Sequence, residues 1–424
     1  MQYTYKAKPG NAADNPTIAY EAGWTLPGPG DEGTWGTIKI ARINGAIFTK
    51  FWEAGEAEPE QWTNVLYADV LDTSVPGYFR FQPYSQDAVG LVPIDVDNII
   101  ITQQTAVDAS RTHLGNSLSQ QFAVSEELIA DGSDAYAVID KQNADGTVET
   151  QTVMQNTWGK DNENGKHVIT FSGVDAKEMT DTLTVQLYNA AGQAIGAAYT
   201  DSTKDYAMRQ IQSTTQDIAS GKETEKNTKI RTMLVDMLNY GAAAQNYFDH
   251  NTDNLANKEL TEAQQSNWAT KELADITNTR NCTNTNVYKG TRLNLKSSLG
   301  FQMAFDLTGC DLSKVEICYS YTDHYGNRKE GTITNGQMID GVYVITVDTV
   351  VLADARQDVT VTVSSDGNEL VSVTDSIAAY VARVQRGEVN AENLEELKEL
   401  CQMLMKFSDS SHTYLHHNDN GGNN

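Results

Sequence analysis

The residues Asp201-Ser202, followed by Tyr206 and Arg209, return 174 positions later as Asp375-Ser376, followed by Tyr380 and Arg383. Upstream, Val168-Ile169-Thr170-Phe171 and Thr184-Val185-Gln186-Leu187 return 176 positions on as Val344-Ile345-Thr346-Val347 and Thr360-Val361-Thr362-Val363. Further upstream, Ser117 and Phe122-Ala123-Val124 answer Ser297 and Met303-Ala304-Phe305, and the turn glycine Gly146 answers Gly326. A period this long marks a duplicated domain, and its slow drift marks small loop deletions. In each copy, strand-like alternation is joined by turn chemistry at Asp145-Gly146, Asn164-Gly165, Asn335-Gly336 and Asp366-Gly367, and then gives way to helical periodicity. Helices are expected at 206–216 and 228–248, on Ile230, Met233, Leu234, Met237 and Leu238. In the second copy they are expected at 376–386 and 391–407, on Leu394, Leu397, Leu400, Cys401 and Leu404.

Working outward, the first copy is expected to occupy 107–257 and the second 281–415, each a β-sandwich-plus-helix lobe. A helical linker at 258–280 is capped by Thr261, and 416–424 reads as a polar tail. Segment 1–106 carries β-like runs at 37–43, 46–52, 65–71, 78–84 and 98–103, which predict a small N-terminal β-sandwich. The fold class is therefore mainly β with α. Tyr206, Tyr380, Arg209 and Arg383 recur in both copies, which favours a shared structural role.

Composition narrows the function. Among 424 residues, 57 acids against 31 bases give a net charge of −26, which repels nucleic acid and anionic lipid. The 39% hydrophobic content is too high for a disordered polyanion, and no apolar run is long enough to insert into a membrane. Threonine (44) and asparagine (32) together outnumber the acids, a bias toward strands and polar loops that suits an extracellular protein. The polar residues after Met1 include no basic-then-apolar leader, so any export signal is expected to have been removed. The four cysteines, Cys282, Cys310, Cys318 and Cys401, form no CxxC pair and allow at most two disulfides.

Catalytic signatures are missing. There is no GxSxG elbow, and the seven histidines form no HExxH helix. Gly28-Pro29-Gly30-Asp31-Glu32-Gly33 satisfies GxGxxG, but no strand precedes it and its proline and acids cannot cradle phosphate. The acidic segments 140–149 and 161–165 miss the calcium-loop register by one position. Neither an enzyme, a cofactor nor a metal site is expected.

The positive signal is aromatic. A neutral glycan is held by exposed rings that stack on its C–H faces, with amides and hydroxyls as hydrogen-bond partners. Ring stacking of this kind is worth about 1–3 kcal/mol per contact by analogy with base stacking. Trp158 lies in the polar loop Gln155-Asn156-Thr157-Trp158-Gly159-Lys160. The hairpin Tyr319-Ser320-Tyr321-Thr322-Asp323-His324-Tyr325-Gly326 puts Tyr319 and Tyr321 on one face, with His324 and Tyr325 at the tip. Trp24 and Trp35 flank the Gly/Pro loop, and Trp268 lies in the linking helix. The glycan-binding candidates are therefore Trp158, Tyr321, Tyr325, His324, Trp24, Trp35 and Trp268, weighed against ordinary packing of the same rings.

The segment Leu234-Val235-Asp236-Met237-Leu238-Asn239-Tyr240-Gly241-Ala242-Ala243-Ala244-Gln245-Asn246-Tyr247-Phe248, with Asn251 to Asn257 and Gly115-Asn116-Ser117-Leu118-Ser119, resembles a β-sandwich-plus-helix module of large secreted proteins of gut clostridia and ruminococci. A bilobed pair of such modules is similar to the starch-adherence proteins of ruminococcal amylosomes. The resemblance covers 107–257 best; in the second copy Phe407 to Tyr414 replace the small-residue run. It implies a non-catalytic, secreted or cell-surface protein that binds starch, amylose or maltooligosaccharides in a groove between lobes. The candidate residues come from the aromatic argument alone. No dockerin-type D-x-N-x-D-G repeat is present, so a cell-surface scaffold would be reached through regions outside this sequence. A structural or adhesion module with a protein partner is the alternative.

Overall fold

A computed structural model describes parts of 36–66 and most of 105–416, apart from 266–279 and gaps at 115–117, 126–127, 130–133, 162–164, 221–223 and 296–298. The chain forms two compact units, 1–103 with 126–131, and 104–125 with 132–424. The described part of the first unit is an antiparallel sheet of β1 (Gly36–Ile43), β2 (Ala46–Glu53) and β3 (Asn64–Leu66) in that order. Below β2, Glu58 bonds Lys39 and the buried Lys50, and these two lysines, Lys50 foremost, hold its carboxyl below the usual range. Trp52 is half-buried opposite Thr37. The expected strands at 78–84 and 98–103, and the glycine-rich 28–33, lie outside the described residues.

The second unit holds both copies, and its sheets repeat strand for strand. In the first copy β4 (Val107–Leu114), β5 (Leu118–Val124), β9 (His167–Phe171) and β8 (Gly159–Lys160) form one sheet, ordered 4-5-9-8. The other is ordered 11-10-6-7, from β6 (Tyr136–Gln142), β7 (Val148–Met154), β10 (Thr182–Tyr188) and β11 (Ala194–Asp201). Alternation buries Ala137 and Ile139 on β6 and Leu183, Val185 and Leu187 on β10, with the intervening residues turned outward. Phe122 of β5 meets Tyr199 of β11 edge-on at 6.2 Å, joining the two sheets.

In the second copy the order 13-14-18-17 repeats the first sheet, with β13 (Tyr288–Leu295), β14 (Leu299–Phe305), β17 (Gln337–Ile339) and β18 (Val342–Val347). The order 20-19-15-16, with the short β12 (Asn281–Cys282) added at its edge, repeats the second. Its strands are β15 (Val315–Thr322), β16 (Arg328–Thr332), β19 (Val359–Ser365) and β20 (Asn368–Asp375). The molecule is mainly β with helices.

The recurring Asp-Ser marks the switch from strand to helix. Ser202 caps α1 (Thr203–Ala219) by accepting from Asp205 N–H at 3.0 Å, and Ser376 caps α4 (Ile377–Gln385) by accepting from Ala379 N–H at 3.1 Å. The aspartates before them end β11 and β20, where Asp201 receives Arg209 and Asp375 receives Arg383 through both guanidinium nitrogens. The shared structural role expected for the arginines is thereby explained.

α2 (Glu225–Tyr247) and α5 (Leu394–Leu415) pack against each other, so the helices of the first copy join the helices and sheets of the second in one apolar core. Tyr240 lies 5.9 Å from Phe407, Tyr414 adds to the burial that raises the hydroxyl pKa of Tyr206, and Tyr247 adds to the burial that raises that of Tyr380. Gly241 permits close approach: a Cβ there would sit 2.6 Å from Met179 Sδ and 3.1 Å from Ala256 Cβ. At the matching place on α5, Ser408 donates to the carbonyl of Leu352 at 2.8 Å. α5 runs eight residues past the expected 407. The short α3 (Glu262–Gln265) has the expected Thr261 cap, reinforced by Gln264 bonding back to Thr261 N–H at 2.9 Å. All four cysteines are free, and burial pushes the Cys401 thiol up to about 12. No helix among the described residues is long and apolar enough to cross a membrane.

Candidate functional site

The hairpin β15–β16 turns through Asp323-His324-Tyr325-Gly326-Asn327 because Gly326 takes a positive φ of 82° and Asp323 caps the loop. The Asp323 carboxylate accepts from Tyr325 N–H at 3.0 Å and Asn327 N–H at 2.7 Å. This fixed turn splays two side chains in different directions. Tyr325 points outward and is 57% exposed. His324 turns inward, with its side chain only 6% exposed.

His324 rests on Asp354, a carboxylate that is 1% exposed. Asp354 Oδ1 accepts from His324 N–H at 2.7 Å and lies 2.5 Å from the ring Nδ1. The last turn of α5 completes the corner. The rings of His412 and His416 are 4.4 Å apart, and they stand 5.9 and 5.4 Å from His324. Tyr325 packs on His324 at 4.1 Å and on His416 at 5.1 Å, so its outer face is presented on a backing of imidazoles. Burial first, then the charge of His416 and His324, lowers the pKa of His412.

The other aromatic candidates separate from this corner or fill it. Tyr321 was expected as a platform but is 7% exposed, and its hydroxyl donates to the Thr349 carbonyl at 3.1 Å. Burial and then the Asp354 carboxylate push that hydroxyl to about 12, so it remains a neutral donor. Tyr319 stacks on Tyr321 with centroids 6.5 Å apart, as the strand alternation required. Tyr319 also covers its cross-strand neighbour Gly331, where a Cβ would come 2.9 Å from the ring. The tyrosine pair is a packed cross-strand cluster, with Tyr325 standing apart from it.

Trp158 requires a correction. Only its neighbours are polar: its own ring turns inward to 8% exposure, its indole N–H donates to the Val153 carbonyl at 3.2 Å, and His167 meets it edge-on. A ring held this way offers no stacking face. Trp24, Trp35 and Trp268 lie outside the described residues. His412, His416 and Asp354 were not singled out from the sequence. The one signal was the i, i+4 spacing of the two histidines, which becomes meaningful only once the helix is known to reach that far.

The equivalent corner of the first lobe is built from charge. Lys141 occupies the place of Tyr321 and bonds Glu178 at 2.9 Å and Glu149 at 3.4 Å. Its ammonium pKa is raised: burial is the largest single influence and opposes this, and the bonds and charges of Glu178 and Glu149 together outweigh it. Nearby Asp181 is buried with neither carboxylate oxygen hydrogen-bonded, and His250 Nε2 lies 3.7 Å away. Burial, and then Glu178, raise Asp181 to about 7. Gln245 replaces His412 and spends its side chain on the loop after α2, bonding Ala256 N–H at 2.7 Å and the Asn254 carbonyl at 3.2 Å.

A shallow groove of about 600 Å³ runs along α1 and α3, lined by Met208, Arg209, Gln212, Thr215 and Gln264. It contains no aromatic ring. Compared with known proteins, the chain matches no family model and no curated sequence.

Proposed function

We propose that the protein is a non-catalytic binder of starch-like α-1,4-glucan at the cell surface, with Tyr325 as the stacking ring on the tip of the second lobe. The observation that carries this reading is the 57% exposure of Tyr325 on a turn already fixed by Asp323 and backed by His324 and His416. A ring held in place loses little freedom when a sugar stacks on it. The lobes meet through packed helices, so this reading moves the glucan from a groove between them to the hairpin tip. The larger architecture, a small β-sandwich followed by two sandwich-plus-helix lobes, belongs to the same proposal, as does secretion. With one stacking ring worth about 1–3 kcal/mol, binding to a single chain end is weak and avidity on a granule does the rest.

Native gels cast with amylopectin test it. The intact chain should be retarded, and Tyr325→Ala should release most of that retardation. Unaltered migration beside a retarded control binder removes the glucan, and reducing-sugar release from soluble starch overturns the non-catalytic reading.

Docking of a protein partner in a cell-surface assembly is the second reading. It is favoured by Met338 and Ile339, exposed on the edge strand β17, because an open apolar edge can accept another strand.

A further inference from the structure

We propose that His324, His412 and His416 bind one zinc ion at the tip of the second lobe. This site does not depend on the glucan reading, although His324 and His416 also back the ring of Tyr325.

Three imidazoles on one zinc ion, with metal–nitrogen bonds of about 2.0–2.1 Å, have ring centres roughly 5 Å apart. The three separations here are 4.4, 5.4 and 5.9 Å. Among the described residues, no group of three His, Cys, Asp or Glu side chains is placed to hold a metal ion as it stands. Binding therefore turns the rings about their side-chain bonds, while the backbone that sets the triangle stays in place.

The Asp354 carboxylate stands 2.5 Å from Nδ1 of His324, a contact that favours the neutral tautomer with its proton on Nδ1 and its lone pair on Nε2. That Nε2 is buried and has no hydrogen-bond partner. A buried, unpartnered acceptor calls for a physical reason, and coordination to a cation supplies one. A carboxylate on the far nitrogen is also the usual support of a metal-ligating histidine, because it fixes the tautomer and raises the basicity of the ligand.

His412 and His416 lie one turn apart where α5 ends, and the negative end of the helix dipole favours a cation. His412 is exposed and His416 half-buried, so an ion can enter from solvent. Three neutral imidazoles suit zinc among the divalent ions, with water at the remaining position. The first lobe has Ala144, Gln245 and Asp249 at the matching places, so the site belongs to the second copy alone.

Calorimetric titration of the whole chain with zinc chloride tests this, with cobalt(II) as the optical probe. We expect one ion per chain and the visible absorption of tetrahedral cobalt. His412→Ala and His416→Ala should each weaken zinc binding at least ten-fold, and His167→Ala in the first lobe should not alter it. Because His412 is exposed, its alanine variant retains the fold, which circular dichroism verifies. No heat of binding by the wild-type chain, or equal affinity in the folded His412→Ala/His416→Ala pair, overturns the proposal.

Discussion

The two lobes repeat one another in strand order and helix placement, yet they treat equivalent positions differently. Lys141, Glu178 and Gln245 make the first lobe's corner a set of closed ionic and amide contacts. Tyr321, Asp354 and His412 make the second lobe's corner aromatic and imidazole-rich. The strand-to-helix junction diverges too. Arg383 is 6% exposed against a fully buried Asp375, whereas Arg209 is 52% exposed beside Asp201, which Ser110 also supports. A duplicated frame thus fixes where side chains stand, and the substitutions on it decide what each copy does.

The arginine pairs give the largest expected contrast. Arg383→Met leaves Asp375 charged and buried and should cost about 3–5 kcal/mol. Arg209→Met exchanges a half-exposed partner for water and should cost about 1 kcal/mol or less. Urea unfolding of both variants measures the difference, and equal losses would break the comparison.

Asp181 comes next, because the first lobe alone buries a carboxyl at this place; the second has Gln357. Its folded pKa of about 7 exceeds the ordinary 3.8, so between those values the native state holds a proton that the unfolded chain releases. Stability from this group is present at low pH and is lost as pH rises through 7. The charges facing it are Glu178, Lys141, Lys177 and Glu149, together with the imidazole of His250. Asp181→Asn should flatten the fall in melting temperature between pH 5 and 8 and stabilise the protein at pH 8, by an amount on the order of a few kcal/mol. An unchanged pH profile would place that carboxyl in contact with water.

The helix contact sharpens the comparison by smaller amounts. Gly241→Ala drives a methyl into Met179 and Ala256 and should cost about 1–3 kcal/mol. Ser408→Ala loses only its bond to the Leu352 carbonyl, about 1 kcal/mol. Thermal denaturation of both orders them, and the reverse order would show that the second copy holds the tighter contact.

The duplication was legible because paired strands must keep their alternation, and the Asp-Ser-…-Arg signature survived because it performs the same capping and pairing in both copies. The end of α5 was not. Ser408 and Ser411 occupy buried helix positions where the apolar period predicts a hydrophobe, and the serine at 408 is satisfied by a carbonyl 56 residues away. The exposure of Tyr325 was legible from its turn. Trp158 was not, since loop polarity describes its neighbours and says nothing of the direction of its own ring. Asp354 and the two helical histidines meet His324 only through tertiary packing, which no local pattern encodes.

Tyr240 of α2 touches Phe407 of α5, and these are counterparts in the two copies; the pairs Tyr206 with Tyr414 and Tyr380 with Tyr247 are images of one another. Residues meet their own counterparts only on a dyad axis. The helix contact of the second unit thus sets equivalent positions face to face, as the interface of a symmetric dimer does, and either half expressed alone should self-associate through the helix its missing twin once covered.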